Sequence, residues 1–265
     1  ELAKGARVID YSGDFRFNNT ADYAEYARRI GRDPVHKAPE LLPQTVYGLP
    51  ELNRQNYAKD QRLVGNVGCF AMSCLLGLAP AAAAKLIDFR SVICDCKTGV
   101  SGAGKKATPI HHYPARYENM QAYRLSGHQH VMEIERMLGQ LADEAVPVTF
   151  TAQVLPICRG IMACLYGTLR DGITREQVWA AYADYHRANS FVRLYDSKAA
   201  IGTANVRGSN FCDLVVDVDE RTRRLRVISH IDNLVKGQAG NALQNMNLIC
   251  GFPENTGLDF PGSYP

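Results

Sequence analysis

The 265-residue sequence has no apolar run approaching the roughly 20 residues needed to cross a bilayer, and its opening ELAKGARVIDYSG has no signal-peptide core. These two absences predict a soluble, cytoplasmic protein. No basic run is long enough to form a nucleic-acid face, because 30 basic and 27 acidic residues leave a formal net charge of only +3. Internal repeats and low-complexity linkers are missing too. Eight cysteines are present, but a chain of this size needs no disulfide framework, and most of them fall in apolar or strand-like stretches. Reduced thiols are expected. Cys94 and Cys96 alternate onto one strand face, and no second pair has structural-zinc spacing, so core packing is expected there and a bound metal is not. What is present, 46% hydrophobic and 22% charged residues, suffices for one large domain or two smaller ones with a substantial core.

Val8 and Ile9 read as a short buried strand running into a polar turn at Ser12, Gly13 and Asp14. A helix-like YAEYARRIG, a Pro-rich connection through YGLPELN and a strand in LVGNVGC that breaks at glycines follow. Next comes a long apolar helix, CFAMSCLLGLAPAAAAKLI, which Gly77 and Pro80 are expected to kink or split. From Ser91 the pattern changes to the strands SVICDC, VTFTAQVLPI, ACLYGTL, CDLVVDVD and RLRVISHI, broken by helices near 130–141 and 174–188. Strand-rich order after a βα opening predicts a second, mixed α+β domain. GNALQNMNLICGF is periodic enough for a closing helix.

Cys69 follows Gly65-Asn66-Val67-Gly68 and begins the apolar helix, where unpaired N–H groups and the helix dipole favour an anion. Two glycines allow a tight turn that leaves the sulfur accessible for covalent catalysis. A small apolar residue starting a core helix is the other reading of the same context. The segment 97–106, KTGVSGAGKK, has glycines that permit close backbone approach and amides and lysines that suit anionic oxygens, although a surface turn with solvated lysines looks the same. It is neither a Walker loop nor a G-x-G-x-x-G fingerprint. Four of seven histidines cluster as His111-His112 and His128-Gln129-His130, the latter pair at the entrance of an amphipathic helix. An imidazole there has the right pKa to deprotonate a thiol or to protonate an oxyanion, whereas an exposed cap histidine is the plain alternative. Two histidines two apart share one direction only through a special turn.

Eight ordered blocks, VIDYSGDFRF, YGLPELN, GNVGCF, DCKTGVSGAGKK, AYRLSGHQH, LPICRGI, VRGSNFCD and NLVKGQAGNALQNMN, resemble the N-acetyl-gamma-glutamyl-phosphate reductase family along almost the whole chain. The related aminoadipyl-phosphate reductases of lysine biosynthesis share many of them. The resemblance implies an α/β plus α+β fold, with a partial Rossmann dinucleotide-binding domain and a glyceraldehyde-phosphate-dehydrogenase-like catalytic domain. It assigns 1–68 and 238–265 to the remainder of the NADP-binding domain and 69–237 to the catalytic domain. It also implies NADPH-dependent reduction of N-acetylglutamyl 5-phosphate to the semialdehyde through a Cys69 thioester, in arginine biosynthesis, by a homo-oligomer (dimer or tetramer). Cys69 would be the nucleophile, His128 and His130 would hold the acid/base role with His130 preferred, and Arg159 and Arg207 would take the substrate carboxylate or phosphate. Ser101, Gly102, Gly104, Asn233, Gly237 and Gln244 would face the cofactor.

Two departures from the family pattern carry expectations of their own. Val67 stands where the family has proline, so a looser approach to the nucleophile is expected. The glycine fingerprint and the βαβ units expected ahead of Val8 are absent, so the chain reads as N-terminally truncated, weak in NADPH binding, and either prone to aggregate or dependent on a partner. A non-catalytic remnant and a nicotinamide-free cysteine hydrolase or acyltransferase are the competing classes, separated by NADPH calorimetry and by thioester hydrolysis without NADPH.

Overall fold

The computed structural model describes residues 1–263. Val8–Asp10 (β1), Thr20–Arg29 (α1), Val46–Gly48 (β2), Pro50–Asn53 (α2) and Leu63–Asn66 (β3) come first. Cys69–Ala83 (α3), Ile87–Thr98 (β4), Tyr113–Arg116 (α4), Gln121–Tyr123 (β5), His130–Ala142 (α5), Thr149–Val154 (β6) and Ile161–Leu169 (β7) follow. Arg175–His186 (α6), Val192–Tyr195 (β8), Cys212–Asp219 (β9) and Arg224–Ile231 (β10) lead to a π-helical turn, Val235–Ala239, and to Gly240–Cys250 (α7). Among the described residues no helix is long and apolar enough to cross a membrane.

Two sheets result. A small parallel sheet has the order β1-β3-β2, and α7 packs on all three of its strands. A mixed sheet has the order β5-β6-β4-β7-β10-β9-β8, antiparallel except for the β4–β6 and β8–β9 pairs. This is the α/β plus α+β architecture that the resemblance implied, its mixed α+β part being what the strand order predicted. In β7 the alternation is strict: Ile161, Ala163, Leu165 and Leu169 are buried under helices, while Met162, Cys164, Tyr166 and Thr168 are half-buried on the opposite face. Helices α3 and α6 cover the first of these faces, with α5 against α3. Cys94 and Cys96 both lie in this core, with Cys96 Sγ 3.5 Å from Cys74 Sγ.

Helix α3 runs unbroken through Gly77 and Pro80, so it is not split there. Pro80 has no N–H to give the Leu76 carbonyl, and a buried orphan carbonyl would cost about 1–3 kcal/mol. Helix α6 removes that cost: His186 Nε2 donates to Leu76 O at 3.1 Å, and Tyr182 Oη donates to Gly77 O at 2.7 Å. Gly77 is needed for a different reason, since a Cβ there would stand 2.4 Å from Leu165 Cδ1 on β7. Helix and sheet therefore touch closely. The connection through YGLPELN contains a strand and a helix, β2 and α2, each too short to show periodicity.

Candidate active site

The nucleophile candidate is set by glycines. A Cβ at Gly65 would lie 2.0 Å from the Phe15 carbonyl oxygen, so only glycine lets the 15–16 backbone lie across β3. Arg16 is thereby brought under the elbow between β3 and α3, where its Nε donates to Asn66 O at 2.9 Å. Its Nη1 meets Glu133 Oε1 at 2.9 Å, both side chains being buried. The other oxygen of Glu133 accepts from Tyr47 Oη at 3.0 Å and from the Gly68 N–H at 3.1 Å. One carboxylate on α5 thus ties together β2, the segment after β1 and the residue before Cys69.

Gly68 has a second role: a Cβ on it would fall 2.2 Å from His130 Nε2, so the imidazole packs directly on the backbone that presents Cys69. His130 Nε2 stands 3.9 Å from Glu133 Oε1, too far for a hydrogen bond, and its Nδ1 is buried without a partner among the described residues. His128 is brought to the same side. Gly127, at φ +87, and Gln129, helical at the N-cap of α5, make the turn, leaving the two rings 4.9 Å apart. His128 Nδ1 accepts from the His130 N–H at 3.2 Å, which places the proton of the neutral ring on Nε2.

Cys69, His128 and His130 open into one cavity of about 540 Å³ whose other walls include Gly99, Gly102, Thr108 and Arg124. Burial pushes the Cys69 thiol up to about 11, outweighing the Phe70 N–H and Arg16, which pull the other way. The thiolate favoured by the helix start is therefore not the resting form. Burial and the neighbouring His130 and Arg124 charges push His128 down to about 3, and burial with Arg16 and Arg124 holds His130 well below the ordinary imidazole range. At neutral pH the thiol keeps its proton and both rings are neutral; His128 Nδ1 is already engaged by the His130 N–H, so His130 is the ring left to receive a proton.

Residues 69–233 match the family described as semialdehyde dehydrogenase, dimerisation domain. The N-acetyl-gamma-glutamyl-phosphate reductase of Pelotomaculum thermopropionicum is 44% identical over 262 residues, 99% of this chain and 74% of that protein. That of Geobacter sulfurreducens is 45% identical over 259 residues, 97% of this chain and 73% of its own length. The chain belongs to the N-acetyl-gamma-glutamyl-phosphate reductase family. Among solved structures, aspartate semialdehyde dehydrogenase II from Vibrio cholerae has the same fold, with a TM-score of 0.62 at 18% identity over 78% of this chain and 69% of that one.

The other residues that the family resemblance singles out fall in three places. Ser101 and Asn233 meet, Asn233 Nδ2 donating to Ser101 Oγ at 3.0 Å and its Oδ1 accepting from the Gly160 N–H at 2.7 Å. Gly102 lies beside them on the cavity wall, and Gly104 adopts φ +75 with open space where a Cβ would be. Arg159 and Arg207 lie outside the cavity lining; Arg159 Nη2 pairs with the buried Asp232 carboxylate at 2.7 Å, which also accepts from the Gly208 N–H at 2.7 Å. Arg207 Nη2 donates to Ser263 O at 3.2 Å. Gly237 packs on Cys69, a Cβ there reaching 2.9 Å from Cys69 Cβ. Gln244 is fully buried, bonded to Glu51 and Glu254 through Nε2 and to Lys236 and Asn210 through Oε1. Val67 is fully buried in the core.

Glu133, Arg16, Tyr47 and Arg124 were not singled out by the sequence. The H-x-x-E spacing from His130 to Glu133 was a usable signal, since residues three apart share a helix face. Nothing local marked Arg16, whose partner lies 117 residues away.

Proposed function

We propose that this chain reduces N-acetyl-γ-glutamyl phosphate to the semialdehyde with NADPH, using Cys69 as nucleophile. The observation that supports it most is the opening of Cys69, in the first turn of α3, into the same cavity as two neutral imidazoles. His130, packed on Gly68, takes the thiol proton as Sγ attacks the acyl carbon, and phosphate leaves to give a thioester on Cys69. The Cys69 N–H at the helix start and the protonated imidazole donate to the oxyanion that forms. Residues Ser101, Gly102, Gly104 and Asn233 fit a nicotinamide ring and its carboxamide, because Gly102 leaves the wall clear and the Asn233 amide stands behind it. Held there, the cofactor supplies the hydride that reduces the thioester. Gly237 and Gln244 are assigned to the cofactor side, Gly237 through the backbone packed on Cys69 and Gln244 through the buried cluster that it forms with Glu51.

Arg159 and Arg207 are assigned to an anionic group of the substrate. We take 1–68 with 238–265 as the cofactor-side unit, because α7 packs on the small sheet, and 69–237 as the catalytic unit. The family is a dimerisation-domain family, and the half-buried outer face of the large sheet, with Ile93, Tyr166 and Arg226 in one row, is assigned to contact with a second copy. Incubating the chain with N-acetylglutamyl phosphate and NADPH should consume the reduced nucleotide and release phosphate. Nucleotide consumption that needs aminoadipyl phosphate instead, or none with either, overturns the assignment.

A further inference from the structure

The Cys69 cavity has an electrostatic signature that the family resemblance did not assign. Among its lining residues there is no carboxylate, and Arg124 is the one permanent cation. Arg124 ends the turn out of β5 at φ +47, a left-handed conformation unusual for a residue with a Cβ. Its side chain is exposed, and among the described residues its one hydrogen bond runs from Nη1 to Gln129 Oε1 at 2.6 Å. Arg16 and the buried Arg116 are committed, Arg16 to Glu133 and Arg116 to the Ile110, Asn119 and Val154 carbonyls, and Arg159, paired with Asp232, lies outside the cavity lining. Gln129 is neutral, so it orients the guanidinium without cancelling its charge. That charge also reaches His128 and His130, helping to hold both rings neutral.

We propose that Arg124 binds the phosphoryl group of the acyl phosphate and stabilises it as it leaves. The proposal rests on the acyl-phosphate reading above. As Cys69 Sγ bonds to the acyl carbon, the carbon–oxygen bond to phosphate breaks, the electron pair departs on the phosphate oxygen, and the thiol proton passes to the imidazole. Negative charge therefore grows one bond from the reacting carbon, beside the two rings that Arg124 faces, whereas the substrate carboxylate lies several bonds away. A planar guanidinium takes two phosphate oxygens at once, which a lysine does not. Arg159 and Arg207 are then left for the carboxylate.

The reverse reaction tests this, because inorganic phosphate becomes a substrate alongside the semialdehyde and NADP. Arg124→Gln should raise the KM for phosphate by about tenfold or more and leave the KM for semialdehyde within about twofold, with Arg124→Lys recovering part of the loss. A rise confined to the semialdehyde KM, or no rise in either, overturns the proposal. A second measurement needs no turnover: inorganic phosphate should slow alkylation of Cys69 by iodoacetamide in the unaltered chain and fail to do so in Arg124→Gln. Equal protection in both, or none in the unaltered chain, overturns it as well. Lack of phosphate-dependent NADP reduction by the unaltered chain would instead sink the reductase reading, with alkylation still deciding on Arg124.

Discussion

Two buried carboxylates, Glu133 and Glu51, join the small sheet to the rest of the molecule, and their surroundings differ. Glu51, on α2, accepts from Lys236 Nζ and from Gln244 Nε2, and Gln244 passes the contact on to Glu254, which pairs with Arg54 through both oxygens. Lys236 is fully buried 5.4 Å from the centre of the Phe191 ring. None of Glu51, Lys236 and Gln244 lines the cavity that holds Cys69. Glu133 bonds Arg16, Tyr47 and Gly68 just behind the cavity that holds Cys69 and His130. A buried ion pair adds little net stability over a well-packed apolar equivalent, yet breaking one strands a charge. The same chemistry thus fastens two layers at Glu51, and at Glu133 it also fixes where a sulfur points.

Substitutions separate the two roles. The largest effect belongs to the nucleophile itself: Cys69→Ser should lower acyl-phosphate reduction by about a thousandfold or more, since a hydroxyl cannot replace the thiol in forming the thioester. Turnover kept within about tenfold would remove Cys69 from the mechanism. In the unaltered chain, alkylation of Cys69 should quicken by about tenfold per pH unit above neutrality, because the folded thiol titrates near 11 and its thiolate fraction climbs up to that point. A plateau near pH 7 would contradict that pKa.

Lys236→Met comes next. It strands Glu51 and should lower unfolding free energy by about 3–5 kcal/mol in a urea titration, while the folded fraction keeps its kcat. A loss of kcat equal to the loss of stability would end the distinction between the clusters. Glu133→Gln should show the converse balance. An amide cannot accept from Arg16, Tyr47 and Gly68 at once, so kcat should fall by about ten- to a hundredfold, with a smaller stability loss of about 1–3 kcal/mol. Unchanged kcat in the folded variant would make Glu133 purely structural.

The strand alternation of β7, β9 and β10 and the start of α3 at Cys69 were legible because each depends on neighbours in sequence. What escaped the sequence depends on distant partners. Pro80 should break a helix by every local rule, and it does not because His186, far along the chain on α6, takes the Leu76 carbonyl that it frees. The two histidines could be named but not given a common direction, since that rests on Gly127 and on the packing of His130 against Gly68. Gln244 lies in a motif block with Gly237, yet one faces Glu51 and the other faces Cys69. Sequence adjacency within the block could not separate a tie between layers from a spacer behind the nucleophile.

Gly237 is the point where the two clusters touch, because it follows Lys236 in the π-helical turn and lies against Cys69. It is absent from the glycines with positive φ, so alanine can adopt its backbone and any effect of Gly237→Ala is steric. The added Cβ would stand 2.9 Å from Cys69 Cβ and 3.5 Å from Asp232 O, and neither atom is the end of a flexible side chain. Something in the backbone must yield. The start of α3 is held by helical hydrogen bonds and by the Gly68 N–H to Glu133, whereas the turn on the other side is a single π-helical turn closed by Gly237 N–H to Asp232 O at 2.9 Å. The turn is the softer partner, so the displacement should go toward Lys236 and away from Cys69. Stability should then fall by about 1–3 kcal/mol, the usual cost of overpacking, while kcat changes by less than about threefold. Thermal melting and steady-state kinetics on the same preparation check both halves. A tenfold drop in kcat with an unmoved melting temperature would mean that the elbow at Cys69 is the part that gives, and that Glu133 does not fix it as firmly as its hydrogen bonds imply.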